Sequence, residues 1–262
     1  MIFSFDLISD IHRETWSHFD WEGQPTAPYC IVAGDLARDR ALVIDTLERL
    51  SDVYQGVFYI DGNDEHKDYA EDLSQSYREL EALVSHIPKV VYLQDNVVVI
   101  DGVAILATNG WWSYDFDPEL DLEQTLQWVV DRDKISYSAA LSYNGVGYHD
   151  AAYMINSVSK LQRQKDVKSI ILVTHTVPAP WIVQHDLELL DTWRYNTLGN
   201  THMQGVFDAD LEGKIKTWCF GHYHRPIDTI KEGVRYISNP RGRGDTQYSQ
   251  SVYYPKRITV KY

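Results

Sequence analysis

Residues 2–12 read IFSFDLISDIH: seven residues apolar enough for a buried strand, stopped abruptly at Asp10 and His12, a carboxylate and an imidazole. An Asp-x-His pair alone carries little weight in a chain with 38 acidic residues and 10 histidines. Repetition changes that. A short β-rich apolar run ending in a metal-competent side chain recurs at Gly34-Asp35, Gly62-Asn63, Thr174-His175 and Gly221-His222-Tyr223-His224. In α/β proteins ligands gather beyond the carboxyl ends of the strands, so five such endings are expected to converge on one spot.

The segment from Arg13 to Pro28 is polar and aromatic and reads as a loop, with Trp16, His18 and Trp21 either lining an entrance or covering core. YCIVAGD is a second buried strand ending in Asp35, and the apolar spacing of Leu42, Val43, Leu47, Leu50 and Val53 predicts a helix capped by Asp39. Val57 to Ile60 repeats the strand, and a polar amphipathic helix is expected from about Lys67 to His86. VVVI and VAILAT, joined by Asp101-Gly102, form a hairpin. Residues 109–150, with Trp111, Trp112 and Trp128, are expected to fold as an excursion over the strand ends. A helix with Ala151, Met154, Ile155, Val158 and Leu161 on one face then leads into SIILVTH. A second excursion spans about 176–210 and holds His185 and His202, loop histidines whose ordinary state is solvated. The runs IKTWCFGHYH, VRYISN, SVYY and RITVKY are strand-rich, as a second sheet requires. No low-complexity or linker-like run divides the chain, so 1–262 is expected to be a single domain.

With 44% hydrophobic residues the chain can bury a sizeable core, and disorder is excluded. The net charge of −14 repels a long nucleic-acid backbone, although bound dications could reverse that locally. Cys30 and Cys219 each sit inside an apolar run and read as unpaired core thiols. There is no signal-peptide pattern and no apolar run of spanning length, which predicts a soluble, cytoplasmic protein without membrane partners.

Asp10, His12, Asp35, Asn63, His175, His222 and His224 together supply carboxylate, amide and imidazole donors and no sulfur, a set suited to a first-row dication and unlike a structural thiolate zinc. Seven donors exceed the needs of one tetrahedral ion. If Asp35 bridges, they divide evenly between two. Such a pair acidifies water and clamps a phosphoryl oxygen, which implies hydrolysis of a phosphate ester.

In that order, these five motifs resemble the calcineurin-like metallophosphoesterase superfamily over nearly the whole chain, and Ser238-Asn239-Pro240-Arg241-Gly242 and Thr108-Asn109-Gly110-Trp111-Trp112 resemble its bacterial members. The resemblance implies an α/β fold, an αββα sandwich of two mixed β-sheets flanked by helices. It implies two divalent metal ions, manganese first, with iron, zinc, nickel, cobalt or magnesium as alternatives. One metal would take Asp10, His12, Asp35 and His224, and the other Asp35, Asn63, His175 and His222. Asp35 and Asp64 are the candidate catalytic residues, and Asn63 and Arg241 the candidate substrate contacts, Arg241 because guanidinium matches phosphate geometry. The implied substrate is a small phosphorylated molecule, nucleotide-like, monoester or diester. The alternatives are a nuclease and a non-catalytic scaffold that keeps the fold.

The sequence departs from the family at Gly62-Asn63-Asp64-Glu65. The family commonly has a histidine at the third position, thought to protonate the leaving group. A carboxylate beside two dications favours its charged form and cannot donate. Asp64 could share a proton with Glu65, or His66 could swing in as the acid. The segment Gly34-Asp35-Leu36-Ala37-Arg38-Asp39-Arg40 also lacks the register of the protein serine/threonine phosphatase signature, which counts against a phosphoprotein substrate.

Overall fold

A computed structural model of the chain describes residues 2–17, 24–184, 192–244, 246 and 249–262. His18, Trp21 and His185 lie outside the described residues. Two mixed sheets pack face to face. The first has the order β11-β1-β2-β3-β4, formed by Lys256–Lys261, Ile2–Ile8, Tyr29–Ala33, Gly56–Ile60 and Val90–Tyr92. The second has the order β5-β6-β7-β8-β10-β9, formed by Asn96–Ile100, Val103–Ala107, Ser169–Val173, Ile215–Phe220, Val234–Ser238 and Ile227–Lys231. Strands β1 to β4 are mutually parallel, as are β6, β7, β8 and β10, while β11, β5 and β9 pair antiparallel at the edges.

Period-two alternation builds the layers. Phe3, Phe5, Leu7, Ile31, Ala33, Phe58 and Ile60 point inward and meet Ile105, Ala107, Ile171, Val173, Cys219 and Ile237 of the other sheet. The opposite faces are buried too, which is why these strands read as continuous apolar runs. Cys30, Val32, Val57 and Tyr59 pack under α1 (Arg40–Val53) and α2 (Leu73–Val84), and Leu106, Ile170, Leu172, Trp218 and Phe220 pack under α4 (Tyr137–Leu161). This is the αββα sandwich expected from the sequence. Both cysteines are free and buried, and no helix among the described residues is long and apolar enough to cross a membrane.

Asp39 caps α1 by accepting from the Ala41 amide at 2.8 Å. Asp101 and Gly102, at φ 49° and 81°, make the tight turn between β5 and β6. Other expectations are corrected. The helix expected from Lys67 is a 3-10 turn at Asp64–Tyr69 followed by α2, because Asp72 caps a new start by accepting from the Gln75 amide. Between β6 and β7 the chain forms α3 (Leu122–Asp133) and then α4, which begins at Tyr137, well before residue 151. Its first half buries Ala139, Ala140, Tyr143 and Gly147 instead of large aliphatic residues, and a Cβ on Gly147 would overlap the Trp111 carbonyl. RITVKY joins the first sheet, antiparallel to β1, and SVYY forms no strand. The described residues of 176–210 include 3-10 turns at Pro180–Ile182 and Thr201–Gly205 and the short helices α5 (Thr192–Tyr195) and α6 (Val206–Ala209).

Candidate metal centre

All seven expected ligands lie just beyond the carboxyl ends of parallel strands: Asp10 and His12 after β1, Asp35 after β2, Asn63 after β3, His175 after β7, His222 and His224 after β8. The structure brings them together in two groups that share one residue. Donor atoms of Asp10, His12, Asp35 and His224 lie within 4.8 Å of one another, as do those of Asp35, His175 and His222. Asn63 joins the second group, its Oδ1 3.1 Å from His175 Nε2. Asp35 faces both, with Oδ2 3.6 Å from His12 Nε2 and Oδ1 3.4 Å from His175 Nε2.

The backbone is forced to make this approach. Asp10, His12, Asp35, His222 and His224 have φ of 50°, 45°, 54°, 67° and 58°, the left-handed region that non-glycine residues avoid. Gly34 and Gly62 permit the crossing of two turns: a Cβ on Gly62 would overlap the Asp35 carboxylate, and one on Gly34 would overlap the His175 ring. Glu65, 1% exposed, ties the two turns together by accepting from the amides of Asp35, Leu36 and Gly62 at 3.2, 2.7 and 2.8 Å and from the Tyr59 hydroxyl at 3.1 Å.

Hydrogen bonds to the remote ring nitrogens orient the imidazoles. His175 Nδ1 lies 3.0 Å from the Ala33 carbonyl and donates to it, which turns Nε2 to the cluster; His222 Nε2 donates to the Thr197 carbonyl at 2.9 Å, which turns Nδ1 inward. His12 Nδ1 faces Asp64 Oδ2 at 3.2 Å. Its Nε2 lies 2.9 Å from His224 Nε2, so two nitrogen lone pairs compete for one position unless a cation or proton is shared. Asp10 Oδ2 is buried with no hydrogen-bond partner, and Oδ1 accepts from the His222 amide at 2.7 Å.

The electrostatics are those of a buried charge cluster. Burial pushes the Asp35 carboxyl up, but His175 and His12 outweigh it and hold it well below the carboxylate range. Burial pushes His175 down, yet the Asp35 carboxylate carries it up to about 10; His222, facing burial and the neighbouring His175, is pushed down to about 3. Oxygen and imidazole donors, an orphaned carboxylate oxygen and opposed nitrogens fit dications that take the place of the shared protons.

Asp35, Asn63, His222 and His224 of the cluster line a cavity of about 590 Å³. Its rim and walls bring Trp111, Trp112, Trp128 and Tyr143 together with Lys67, Arg132, Arg194 and Arg243. Trp112 stacks on His222 with ring centroids 5.7 Å apart, and the Arg132 guanidinium lies 4.4 Å over the Trp128 ring.

Several candidates fall elsewhere. Arg241 is 1% exposed, lies 4.0 Å over the Trp16 ring and does not line the cavity; Gly242, at φ 79°, turns the chain so that Arg243 is the arginine that does. Trp16 donates its indole N–H to the Gly242 carbonyl at 3.1 Å and so covers this segment. Asp64 lines the cavity, but Glu65 turns away into its backbone cradle, which leaves no shared proton between them. His66 is buried between Ser76 Oγ and Asp61 Oδ2, each 2.7 Å away. His202 stacks on Tyr148 and is not part of the cavity. Sequence reasoning set Arg241 on the phosphate instead of Arg243, two residues on, and missed Lys67, Arg132 and Arg194, whose arrival at one cavity depends on the packing of three separate segments.

No protein-family model matches the chain, and no curated protein matches it by sequence. Among solved structures it is similar to a phosphopantetheinyl hydrolase from Mycobacterium tuberculosis, with a TM-score of 0.67 and 20% identity, covering 91% of this chain and 89% of that one. It is also similar to a putative 5'-nucleotidase from Staphylococcus aureus solved with alpha-ketoglutarate, with a TM-score of 0.52 and 12% identity. That match covers 100% of this chain and 51% of the other, so the chain spans about half its length. At these identities the likeness is one of fold.

Proposed function

We propose that the protein is a metal-dependent phosphoesterase acting on a small phosphorylated molecule with an aromatic or otherwise planar part. One observation carries the reading: seven side chains competent for metal are gathered from five strand ends, five of them on left-handed backbone, and Asp35, Asn63, His222 and His224 among them line a cavity walled by indoles and cations. Asp10, His12, Asp35 and His224 would hold one dication, and Asp35, Asn63, His175 and His222 the other, with manganese the first candidate. Bound there, dications supply an acidified water and charge neutralisation at phosphorus.

The chain's own residues account for the rest. The Ala33 and Thr197 carbonyls fix the tautomers of His175 and His222, so that each presents a lone pair to the centre. Glu65 holds the Asp35 and Gly62 turns in register. Lys67, Arg132, Arg194 and Arg243 line the cavity on a chain of net charge −14; Arg132 and Arg243 are paired with Asp133 and Asp64, and the four cations together with bound dications would draw in a phosphate anion. Trp128, half-buried at the cavity wall with Arg132 over its ring, offers an aromatic surface on which a base or an aryl group can stack. The two solved structures compared above carry hydrolase names, a phosphopantetheinyl hydrolase and a putative 5'-nucleotidase, which agrees with the reading without selecting a substrate. A cavity of about 590 Å³ on an acidic chain favours a small substrate over a long polynucleotide.

The test is a panel of nucleoside monophosphates, cyclic nucleotides, aryl phosphates and single-stranded DNA, assayed with added manganese and again after chelation. Manganese-dependent release of phosphate or nucleotide from the small esters is the expected result. Turnover confined to DNA would replace the reading with a nuclease, and no turnover anywhere would leave the scaffold.

A further inference from the structure

We infer that Arg243 is the residue that grips the phosphoryl group, and that Asp64 serves to aim it, so that this site holds a fixed cation beside the position where the family pattern has a histidine. The inference rests on the phosphoesterase reading and deepens it. The sequence sets an aspartate at position 64, and the structure explains what such a residue can do there. Asp64 is 2% exposed, its amide donates to Asp35 Oδ1 at 2.9 Å, and its carboxylate receives Asn63 Nδ2 at 3.1 Å, so it stands between residues of both ligand groups. Its Oδ2 faces His12 Nδ1 at 3.2 Å and accepts from Arg243 Nη2. A guanidinium can only donate, so the Asp64 oxygen that meets it accepts, and the carboxylate thereby holds Arg243 beside the ligands.

Arg243 is brought to this place by the backbone. Past β10, Arg241 and Gly242 donate their amides to the carbonyls of Ser9 and Asp10 at 3.1 and 2.9 Å, the stretch that carries the first ligands. The Gly242 carbonyl accepts from Trp16, and the Gly244 amide donates to Thr15 Oγ1 at 3.0 Å. The residue between those two glycines is thus clamped on both sides. Its side chain is 34% exposed and lines the cavity, and among the described residues its guanidinium is engaged only by Asp64. A guanidinium has five N–H donors in a planar fork, so one contact leaves donors for phosphoryl oxygens. A structural ion pair would have no need to open onto the cavity beside the ligands.

The test uses the manganese-loaded full chain. Calorimetry with inorganic phosphate reads binding without turnover, elemental analysis reads metal content, and steady-state kinetics with aryl phosphates reads chemistry. Arg243→Ala is expected to keep its metals, to bind phosphate at least about 10-fold more weakly, and to lose roughly 100-fold in kcat/KM, the scale for removing one aimed charge-stabilising donor. Added guanidinium should restore part of the rate, and Arg243→Lys should recover phosphate binding better than rate. Asp64→Asn, with the carboxylate replaced by an isosteric amide, should weaken phosphate binding less than Arg243→Ala. Because Asp64 is not the acid, a plot of log rate against leaving-group pKa should be steep in wild type and no steeper in Asp64→Ala. Phosphate affinity in Arg243→Ala equal to wild type would overturn the role of Arg243, and a shallow wild-type slope that steepens in Asp64→Ala would make Asp64 the acid. If wild type itself neither binds phosphate nor turns over esters, the phosphoesterase reading fails first, and the two failures are told apart.

Discussion

Residues 61–66, DGNDEH, build two neighbouring polar clusters with opposite fates. Asn63 and Asp64 face the cavity. Asp61 and His66 face inward, where His66 bridges Asp61 and Ser76 and the Asp61 carboxylate also receives the Tyr92 hydroxyl and the Asn109 amide at 2.5 and 2.7 Å. Taken as residue types, the inner cluster holds serine, histidine and aspartate in a row and looks the more catalytic. It is closed off from solvent: Asp61, His66 and Ser76 are fully buried and each is hydrogen-bonded, the Ser76 hydroxyl also receiving Arg40 at 2.6 Å. The outer cluster is strained, has an orphaned carboxylate oxygen and opens on a cavity. What separates a site from a structural network is unspent bonding capacity with access, not the list of side chains.

Substitutions should divide along the same line. The largest effect is expected from His175→Ala, which removes a ligand and should lower kcat on the order of 1,000-fold, with a chelated sample melting close to chelated wild type. Comparable activity in the two proteins, assayed with saturating manganese, would erase the distinction. The inner cluster should behave in reverse. His66→Ala leaves Asp61 and Ser76 partly unpaired and should destabilise the fold by about 3 kcal/mol, measured by urea unfolding, while kcat per folded molecule stays within a few-fold. A loss of turnover greater than the loss of folded protein would move His66 into the site.

How much of this was legible in the sequence follows from the range of the forces involved. Strands β1, β2, β3, β7 and β8 were readable because each is buried on both faces and ends in a ligand, and the β5–β6 turn because Asp101-Gly102 permits positive φ. RITVKY reads as half-buried, with Ile258 and Val260 inward, yet alternation does not say which sheet it joins; its register with β1 does. The start of α4 was hidden because its first turns pack through small residues and Tyr143. In the site, the ligands announced themselves by their strand ends. The aim of Asp64, Glu65 and His66 did not, since three adjacent polar residues on a 3-10 turn fan out in three directions and no periodicity records which one meets the cavity. That Arg243 and not Arg241 lines the cavity was hidden for the same reason: a single left-handed glycine, Gly242, redirects the chain.

The smallest effect concerns the cavity wall. Trp128→Ala should raise KM for aryl or nucleoside phosphates about 10-fold, the equivalent of one aromatic contact, and leave KM for a short alkyl phosphate nearly unchanged. Equal shifts for both substrates would mean that Trp128 shapes the wall without stacking on the substrate.

The account stands on Asp35 joining two ligand groups into one centre. Elemental analysis of wild type and Asp35→Asn, prepared side by side with manganese and freed of loosely bound ions, tests it directly. Two tightly bound dications per wild-type chain, and no more than one in the variant, are expected. Two retained in Asp35→Asn would contradict the bridge, and with it the division of seven ligands between two metals.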